Sequence, residues 1–264
     1  MAERSSVGRR RALGQNFLVD PGVARRTVEA ARVGPDDRVL EIGPGRGVLT
    51  RPLLEAGASV FAVEIDEALV AALTREPRER LVVERADFLR FDLERLPAGP
   101  MIVVANLPYS TGTAIVERIL AAPERFPRVV VMLQREVAHR LAAEPGTRSY
   151  GSLSVLTALW AEARVEFDVP PSAFRPRPKV DSAVVRLDVA AEPRASVDDP
   201  AHFRRVVRAA FAQRRKMLRN TLRAAYGDVA ETVLERAGID ARRRAETVSL
   251  EEFAVLAREL SGLA

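Results

Sequence analysis

The sequence predicts an α/β protein in which a mostly parallel sheet is covered by helices on both faces. Apolar runs without polar alternation, such as Val39–Ile42 and Ser59–Glu64, recur along the first part of the chain and alternate with stretches of helical periodicity. Gly and Pro residues separate these stretches. A glycine-rich segment, Glu41–Gly47, ends the first run and precedes a helical stretch, which is the arrangement that brings a backbone close to a nucleotide-like ligand.

The predicted elements follow in a regular order after a first helix, Pro21–Arg32. Strands and helices then alternate as strand Val39–Ile42, helix Val48–Ala56, strand Ser59–Glu64, helix Glu67–Arg75, strand Leu81–Ala86, strand Met101–Ala105, helix Thr113–Ala121, strand Val129–Leu133 and helix Glu136–Ala143. A helix is next predicted over Ser152–Trp160. Two late strands, Val165–Val169 and Val180–Val189, are joined by a proline-rich loop and predict an antiparallel hairpin at the sheet edge.

The pattern also predicts two domains. Residues 1–190 form the sheet domain, the polar residues 191–200 form a linker, and residues 201–264 form a helical domain with breaks at Tyr226-Gly227 and Gly238. We expect this helical domain to bind RNA, because it is rich in basic residues.

Composition excludes several classes of protein. The 264 residues contain no cysteine, which excludes disulfides, thiolate metal sites and a cysteine nucleophile. With two histidines and no metal-ligand spacing, we expect no metal. No apolar run approaches the roughly 20 residues of a membrane span, and the basic N-terminus has no apolar region typical of a secretory signal. A cytoplasmic protein, without membrane contact and monomeric, is the expectation.

Positive charge is concentrated toward both ends of the chain. The net charge is +5; residues 1–26 hold six arginines against Glu3 and Asp20, and residues 200–264 hold thirteen basic residues against eight acids. The run from Arg204 to Arg223 contains no acid. Helical spacing predicts a basic face opposite apolar residues, suited to a phosphate backbone, although a solvated helix face remains the alternative. The residues of this expected RNA-binding face are Arg208, Arg215, Lys216, Arg219 and Arg223.

The glycine segment favours one ligand over another. Its Gly-x-Gly-x-Gly spacing lacks the later glycine of the dinucleotide fingerprint. Glu64 ends the next apolar run, 21 residues after Gly43, where a carboxylate accepts hydrogen bonds from ribose hydroxyls. A ligand with a ribose and no pyrophosphate, such as S-adenosylmethionine, therefore suits this motif better than NAD. A tight turn that binds no ligand is the alternative.

Asn106-Leu107-Pro108-Tyr109 is the sharpest chemical signal. An exocyclic amine of a base is a weak nucleophile because its lone pair is delocalised into the ring. An Asn oxygen and a backbone carbonyl can accept the amine hydrogens and direct the lone pair at an electrophilic methyl group, while Tyr109 offers a face for stacking. No strong general base is needed, since the nitrogen becomes acidic once it is methylated. An Asn-capped turn before a helix is the alternative.

Three further features fit an adenine site, each with a structural alternative. The block Gly14–Leu18 reads as a turn or as a lid over a cofactor. Asp87-Phe88 could bind an adenine ring, or could cap a helix and fill the core. Phe174, in the proline-rich loop, could stack on the second face of a flipped base, or could anchor the loop in the core.

These motifs together resemble one family. Gly14–Leu18, Glu41–Gly47, Asn106–Tyr109, Tyr150-Gly151 and Pro170–Leu187 occur in the same order in the KsgA/RsmA ribosomal RNA adenine dimethyltransferases, and the resemblance covers about the whole chain. It implies a class I methyltransferase sheet of seven strands with a small helical domain. It also implies transfer of methyl groups from S-adenosyl-L-methionine, leaving S-adenosyl-L-homocysteine, to N6 of two adjacent adenines near the 3′ end of 16S rRNA in the immature small subunit.

The resemblance assigns roles by motif position. Asn106, Leu107, Pro108, Tyr109 and Phe174 would hold the target base and amine. The cofactor would contact Gln15, Asn16, Leu18, Gly43, Gly45, Glu64, Ile65, Asp87, Phe88 and Asn106. The run Ser110–Thr113 departs from the Asn-Ile-Ser/Thr sequence of the family, so the resemblance does not determine the shape of the pocket wall at this run.

Two other classes compete with this interpretation. The erythromycin-resistance methyltransferases of large-subunit rRNA share the expected fold, cofactor and target base; Leu107 and the loop Pro170–Phe174 favour the small-subunit enzyme. A non-catalytic assembly factor of the same fold is the second rival, and the intact Asn106 and Glu64 argue against it.

Overall fold

The computed structural model describes residues 16–262. Gly14 and Gln15, which belong to the first predicted cofactor block, lie outside the described residues. The chain divides into two compact units. One runs up to Ala138 and includes Ala163–Val189; the other consists of His139–Glu162 and the chain from Ala190 onward.

A seven-stranded sheet forms the centre of the first unit. The strands of this unit, including a separate two-stranded sheet, are β1 (Phe17–Leu18), β2 (Arg38–Ile42), β3 (Ser59–Glu64), β4 (Leu81–Arg85), β5 (Ile102–Asn106), β6 (Arg128–Gln134), β7 (Ala161–Val169), β8 (Phe174–Arg175) and β9 (Ser182–Val189). The large sheet has the order β4-β3-β2-β5-β6-β9-β7. Its pairs from β4 to β6 are parallel and β9 pairs antiparallel with β6. The mostly parallel seven-stranded α/β fold predicted from the sequence is therefore confirmed.

Helices follow the parallel strands, as the alternating pattern predicts. They are α2 (Thr50–Glu55), α3 (Glu67–Thr74), α4 (Gly112–Ile119) and α5 (Arg135–Leu141), which follow β2, β3, β5 and β6, while α1 (Pro21–Ala31) precedes the parallel strands. Asp20 caps α1 by accepting from Gly22 N at 2.8 Å and Val23 N at 3.1 Å. The buried face of α1 packs in a core that also contains Val39, Val104 and Val130 from the sheet.

The late strands differ in part from the sequence prediction. β7 begins at Ala161, four residues before the predicted start, and lies beside β9 at the sheet edge. The proline-rich loop between them contains β8, which pairs antiparallel with β1 through Phe17↔Arg175 and Leu18↔Phe174. The block at Phe17-Leu18, predicted as a turn, is thus a short strand.

The second unit is helical and has a core of its own. Its further helices are α6 (Ser152–Ala158), α7 (Pro200–Ala210), α8 (Leu218–Tyr226), α9 (Val229–Arg236) and α10 (Leu250–Ser261). Tyr150, Val155 and Leu159 are buried in one cluster with Phe203 and Phe253. This shared apolar core is why His139–Glu162, assigned by the sequence to the sheet domain, packs in the second unit.

The predicted continuous basic helix is wrong in one respect. α7 ends at Ala210, residues 211–217 form turns, and α8 begins at Leu218. Arg208, Arg215 and Arg219 therefore do not share one helix. Within residues 16–262, no helix is long and apolar enough to cross a bilayer.

Candidate active site

A cavity of about 330 Å³ lies in the first unit where β2, β3, β4 and β5 end. In a parallel sheet the carboxyl ends of the strands lie at one edge, which is where ligands bind. The cavity brings together eleven of the residues predicted from the sequence. They are Asn16, Gly43, Gly45, Glu64, Ile65, Asp87, Phe88, Asn106, Leu107, Pro108 and Tyr109.

The glycine segment after β2 forms one wall of the cavity because its backbone is left-handed. Gly43 has φ +68° and Gly45 has φ +57°, conformations that residues with a Cβ rarely adopt. A Cβ on Gly43 would meet no atom within 4 Å, since this position faces the open cavity. The loop is held to the neighbouring strand by Gly43 N, which donates to Val63 O at 2.9 Å. Its backbone thus stays exposed to a ligand.

Glu64 ends β3 and is buried against the glycine loop. Its Oε2 accepts from Gly45 N at 3.0 Å, and its Oε1 accepts from Ile65 N at 2.9 Å and Asp66 N at 3.0 Å. Burial raises the pKa of Glu64 above its ordinary value, although these backbone donors oppose the shift. The carboxylate is therefore fixed between the glycine loop and the end of β3, at the edge of the cavity.

A second acid, Glu41, lies behind the loop. It is 1% exposed, and its Oε2 accepts from Thr50 Oγ1 at 2.6 Å. The other oxygen, Oε1, is buried with no hydrogen-bond partner. Burial raises the pKa of Glu41 to about 8, with the neighbouring Glu64 adding to the shift and the Thr50 hydroxyl opposing it. Glu41 is therefore a neutral acid at pH 7.

Asp87 and Phe88 follow β4 and line the cavity together. Asp87 Oδ1 accepts from Leu89 N at 3.0 Å, so this oxygen caps the turn. The Phe88 side chain is 4% exposed. Asp87 therefore caps a turn and Phe88 is buried, as the structural alternatives from the sequence predicted. Both residues also line the cavity.

Asn106 ends β5 with its amide orientation defined. Its Nδ2 donates to the backbone O of Asn16 at 3.1 Å. Because the amide nitrogen is engaged as a donor, Oδ1 is the atom that remains to accept hydrogens. Leu107, which is buried, fixes the turn that follows by donating its N–H to Met132 O at 3.1 Å.

Tyr109 belongs to the same turn and also lines the cavity. Its hydroxyl is hydrogen-bonded to Ser182 Oγ at 2.6 Å. Burial raises the pKa of Tyr109 above its ordinary value; the Ser182 hydrogen bond lowers it and Asp181 raises it. The phenol is therefore neutral at physiological pH.

Two of the predicted cofactor- and base-binding residues that lie within the described part of the chain do not line the cavity. Leu18 is 4% exposed and Phe174 is fully buried, and both belong to the core beneath the sheet. The structure therefore places Phe174 as an anchor of the proline-rich loop in the core, which was the alternative to stacking on a base. The reason is the pairing of Leu18 with Phe174 across β1 and β8, which places both side chains on the core side.

Phe17 was not singled out from the sequence, yet it lines the cavity. Side chains alternate along a strand, so a buried Leu18 places Phe17 on the opposite face. A Cβ on Gly45 would lie 3.2 Å from Phe17 Cδ1, so the glycine permits the ring to pack on the loop. The Arg46 guanidinium lies 5.1 Å from the centroid of the same ring. Because the sequence predicted a turn at this block, no strand alternation was available to reveal this residue.

The predicted RNA-binding residues lie on the second unit. Arg208, Arg215, Lys216 and Arg223 are exposed and Arg219 is half-buried. Arg223 pairs with Asp228 at 2.7 Å, while Arg215 and Lys216 occupy the turn between α7 and α8. Within residues 16–262, no cluster of three or more acids or histidines is placed to bind a metal ion.

A mostly parallel seven-stranded sheet, a glycine loop after β2 and an acid at the end of β3 define the class I S-adenosylmethionine-dependent methyltransferase fold. The family model "Ribosomal RNA adenine dimethylase" matches residues 8–261. The chain belongs to this family.

Relatives and solved structures agree with this assignment. A protein from Magnetococcus marinus named ribosomal RNA small subunit methyltransferase A is 48% identical over 262 residues, covering 97% of this chain and 94% of the relative. The protein of the same name from Syntrophotalea carbinolica is 49% identical, covering 94% and 96%.

Two crystal structures share the fold over nearly the whole chain. The 23S rRNA methyltransferase ErmE has a TM-score of 0.72 and 30% identity, covering 93% of this chain and 100% of that chain. A dimethyladenosine transferase from Plasmodium falciparum has a TM-score of 0.78 at 23% identity, covering 93% and 98%, and supports the fold alone.

Proposed function

We propose that this protein transfers methyl groups from S-adenosyl-L-methionine to N6 of two adjacent adenines in the 3′-terminal hairpin of 16S rRNA, within the immature small subunit. The observation that carries the proposal is the orientation of Asn106. Its Nδ2 donates to Asn16 O, so Oδ1 is free to accept an amine hydrogen in a cavity that is also lined by Glu64, an acid of the ribose-binding type.

The residues around Asn106 account for activation of the amine. The Asn106 oxygen and the Leu107-Pro108 backbone, in which Pro108 has no N–H, present acceptors to an N6 amine. Acceptance of its hydrogens favours a pyramidal nitrogen, whose lone pair is then directed at the electrophilic methyl group of the cofactor. Tyr109 supplies the face on which the adenine stacks. The amine proton leaves to solvent after transfer, because the methylated nitrogen is acidic.

The cavity residues fit the cofactor. The open space at Gly43, the exposed loop backbone and the Glu64 carboxylate at the end of β3 are the groups that hold a ribose and an amino-acid portion. Ile65, Asp87 and Phe88 line the same cavity as Glu64 and would hold the adenine ring. S-adenosylmethionine supplies an electrophilic methyl on a sulfonium when bound, and S-adenosylhomocysteine is the product.

The second unit would supply phosphate contacts. Arg208, Arg215, Lys216 and Arg219 belong to a stretch without acids, from Pro200 to Gly227, and such a surface attracts a phosphate backbone independently of base sequence. The names of the small-subunit relatives, at 48% and 49% identity, favour 16S rRNA over the 23S substrate of ErmE at 30%. We place the protein in the cytoplasm as a monomer that acts during subunit assembly.

The test uses purified protein, labelled S-adenosylmethionine and two substrates. Small subunits lacking the two dimethyladenines should acquire dimethyladenine in the 3′ hairpin, identified by nuclease mapping and mass spectrometry of nucleosides. Protein-free 23S rRNA should acquire none. Label in 23S rRNA alone would instead establish a resistance-type enzyme, and label in neither, with cofactor bound, would refute catalysis on these substrates.

The matched variants probe Asn106. Asn106→Ala removes the acceptor and should abolish methyl transfer while S-adenosylmethionine still binds by calorimetry. Asn106→Asp keeps an acceptor of the same shape but loses the donor to Asn16 O, so it should retain a measurable part of the rate. A turnover of Asn106→Ala equal to that of the wild type would exclude the proposed activation of the amine.

A further inference from the structure

We infer that Ser182 is a positioning residue that orients Tyr109 for stacking on the target base; this inference rests on the proposed function. Ser182 is absent from the lining of the cavity and is fully buried. Its hydroxyl nevertheless reaches the phenol oxygen of Tyr109 at 2.6 Å. The hydroxyl therefore acts on the cavity through the tyrosine and not by contact with a ligand.

Ser182 is held by a rigid part of the sheet. It begins β9 and pairs with Gln134 at the end of β6, seven registered pairs from Arg128↔Asp188 to Gln134↔Ser182 joining the two strands. The residue before it is also fixed, because Arg135 N donates to Asp181 O at 3.0 Å. A hydroxyl in such a position stays where the strands place it.

Tyr109, in contrast, follows β5 in a turn. The backbone of this turn is held by Gly112 N, which donates to Pro108 O at 2.8 Å. The Tyr109 side chain lines the cavity from this turn, and the Ser182 hydroxyl holds its far end. With both ends of the ring fixed, its long axis has one direction, which reduces the freedom that a stacked base would otherwise have to restrict.

This arrangement explains why the residue that stacks on the base is a tyrosine and not a phenylalanine. Stacking on adenine needs an aromatic face, and a phenylalanine offers the same face. The phenol is also kept neutral by burial, which raises its pKa, so no charge of its own acts on the amine. The function left for the hydroxyl is its hydrogen bond to Ser182, which a phenylalanine lacks.

The test removes this hydrogen bond from each side. Ser182→Ala and Tyr109→Phe should each lower kcat on small subunits about three- to tenfold, the usual effect of losing one hydrogen bond. KM for the subunits should change less than kcat, because phosphate contacts supply most of the affinity for RNA, and the affinity for S-adenosylmethionine should stay unchanged. The double variant should lose no more than either single variant, since both remove one interaction.

A fluorine spectrum tests the contact itself. The chain has three tyrosines, so 3-fluorotyrosine labelling should give three resonances, and Tyr109→Phe identifies that of Tyr109. In Ser182→Ala this resonance should shift and those of Tyr150 and Tyr226 should not. Thr27→Val is the control, because it removes a buried hydroxyl in the same unit, one that donates to Val23 O at 2.8 Å within its own helix, and should leave both kcat and the resonance unchanged.

The outcomes separate the two hypotheses. An unshifted Tyr109 resonance with unchanged kcat in Ser182→Ala, an additive loss in the double variant, or a fall in cofactor affinity that matches the fall in kcat would each overturn the positioning role. If Ser182→Ala does not fold, Tyr109→Phe removes the same bond from the cavity side and keeps the test decisive. Absence of methyl transfer by the wild-type protein would refute the proposed function, while the fluorine spectrum would still report whether Ser182 orients the ring.

Discussion

Replacement of Glu41 by Gln should change the pH dependence of stability in a predictable direction. Burial raises the pKa of Glu41 in the folded protein from 4.5 to about 8. Between these values the unfolded chain is ionised while the folded protein keeps the proton, so the free energy of unfolding falls as pH rises. The loss is about 1.4 kcal/mol for each pH unit, or about 3 kcal/mol between pH 5 and pH 7. Above about pH 8 the folded protein ionises as well and the loss stops growing.

Glutamine reproduces the neutral acid. Its oxygen can accept from the Thr50 hydroxyl, as Glu41 Oε2 does at 2.6 Å, and its nitrogen takes the place of the protonated oxygen. Glu41→Gln should therefore lose this pH dependence and should gain stability over the wild type as pH rises from 5 to 7. The difference in unfolding free energy between the variant and the wild type at pH 5 depends on how the amide packs. The quantity to compare is therefore the change of each unfolding free energy with pH.

The assay is urea unfolding at pH 5, 6 and 7, read by hydrogen exchange of peptides that contain β2. This readout reports unfolding of the unit that contains Glu41, whatever the second unit does. Glu55→Gln, a change at an exposed acid on α2, is the matched control and should follow the wild type at each pH. If the wild type and Glu41→Gln lose stability in parallel between pH 5 and pH 7, the buried neutral acid is refuted.

Three further predictions concern the glycines and the basic surface. Gly112→Ala should lower the melting temperature in spite of the better helix propensity of alanine, because its Cβ would collide with Leu133 Cδ2; the cost should be about 1–3 kcal/mol, and an unchanged melting curve would contradict it. Gly45→Ala, at φ +57°, should weaken S-adenosylmethionine binding by calorimetry, while Gly146→Ala, also at positive φ but outside the cavity, should leave that affinity intact. Replacing Arg215 and Arg219 together by Glu should weaken rRNA binding and flatten its dependence on salt; equal salt slopes for variant and wild type would place the RNA surface elsewhere.

The fold was predictable because its signals are local. The apolar strand cores, the glycine loop and the acid at the end of β3 each lie within a few residues, and the edge of a parallel sheet where they meet follows from the topology. The position of Asn106 and Tyr109 at this edge was predictable for the same reason, since they follow a strand of the parallel sheet, and their part in catalysis stays a prediction. Phe174 was different: sequence alone left stacking and burial equally open, and the pairing of β1 with β8, formed between segments far apart in the chain, placed it in the core.

The break between α7 and α8 shows a second limit of the sequence. Residues 211–217 contain neither Gly nor Pro, so local propensity predicts a continuous helix. The first amides of α8 instead find distant acceptors: Leu218 N donates to Arg243 O at 2.7 Å and Arg219 N donates to Ala241 O at 3.1 Å. These carbonyls satisfy amides that a helix start leaves without partners. The new helix therefore begins where tertiary structure supplies the acceptors.

The chemistry of Asn106 likewise depends on a contact with a distant part of the chain, which the local sequence does not show. An amide side chain carries one acceptor and two donors of nearly the same shape, and the two ends have opposite effects on an amine. An exposed Nδ2 would repel the amine hydrogens, whereas an exposed Oδ1 accepts them. The sequence motif supplies the amide but does not choose its direction. The backbone carbonyl of Asn16, 90 residues away in the chain, makes that choice by accepting from Nδ2. Asn16 would thus serve catalysis through its main chain, so replacing its side chain should disturb amine activation less than displacing β1 from β8 does.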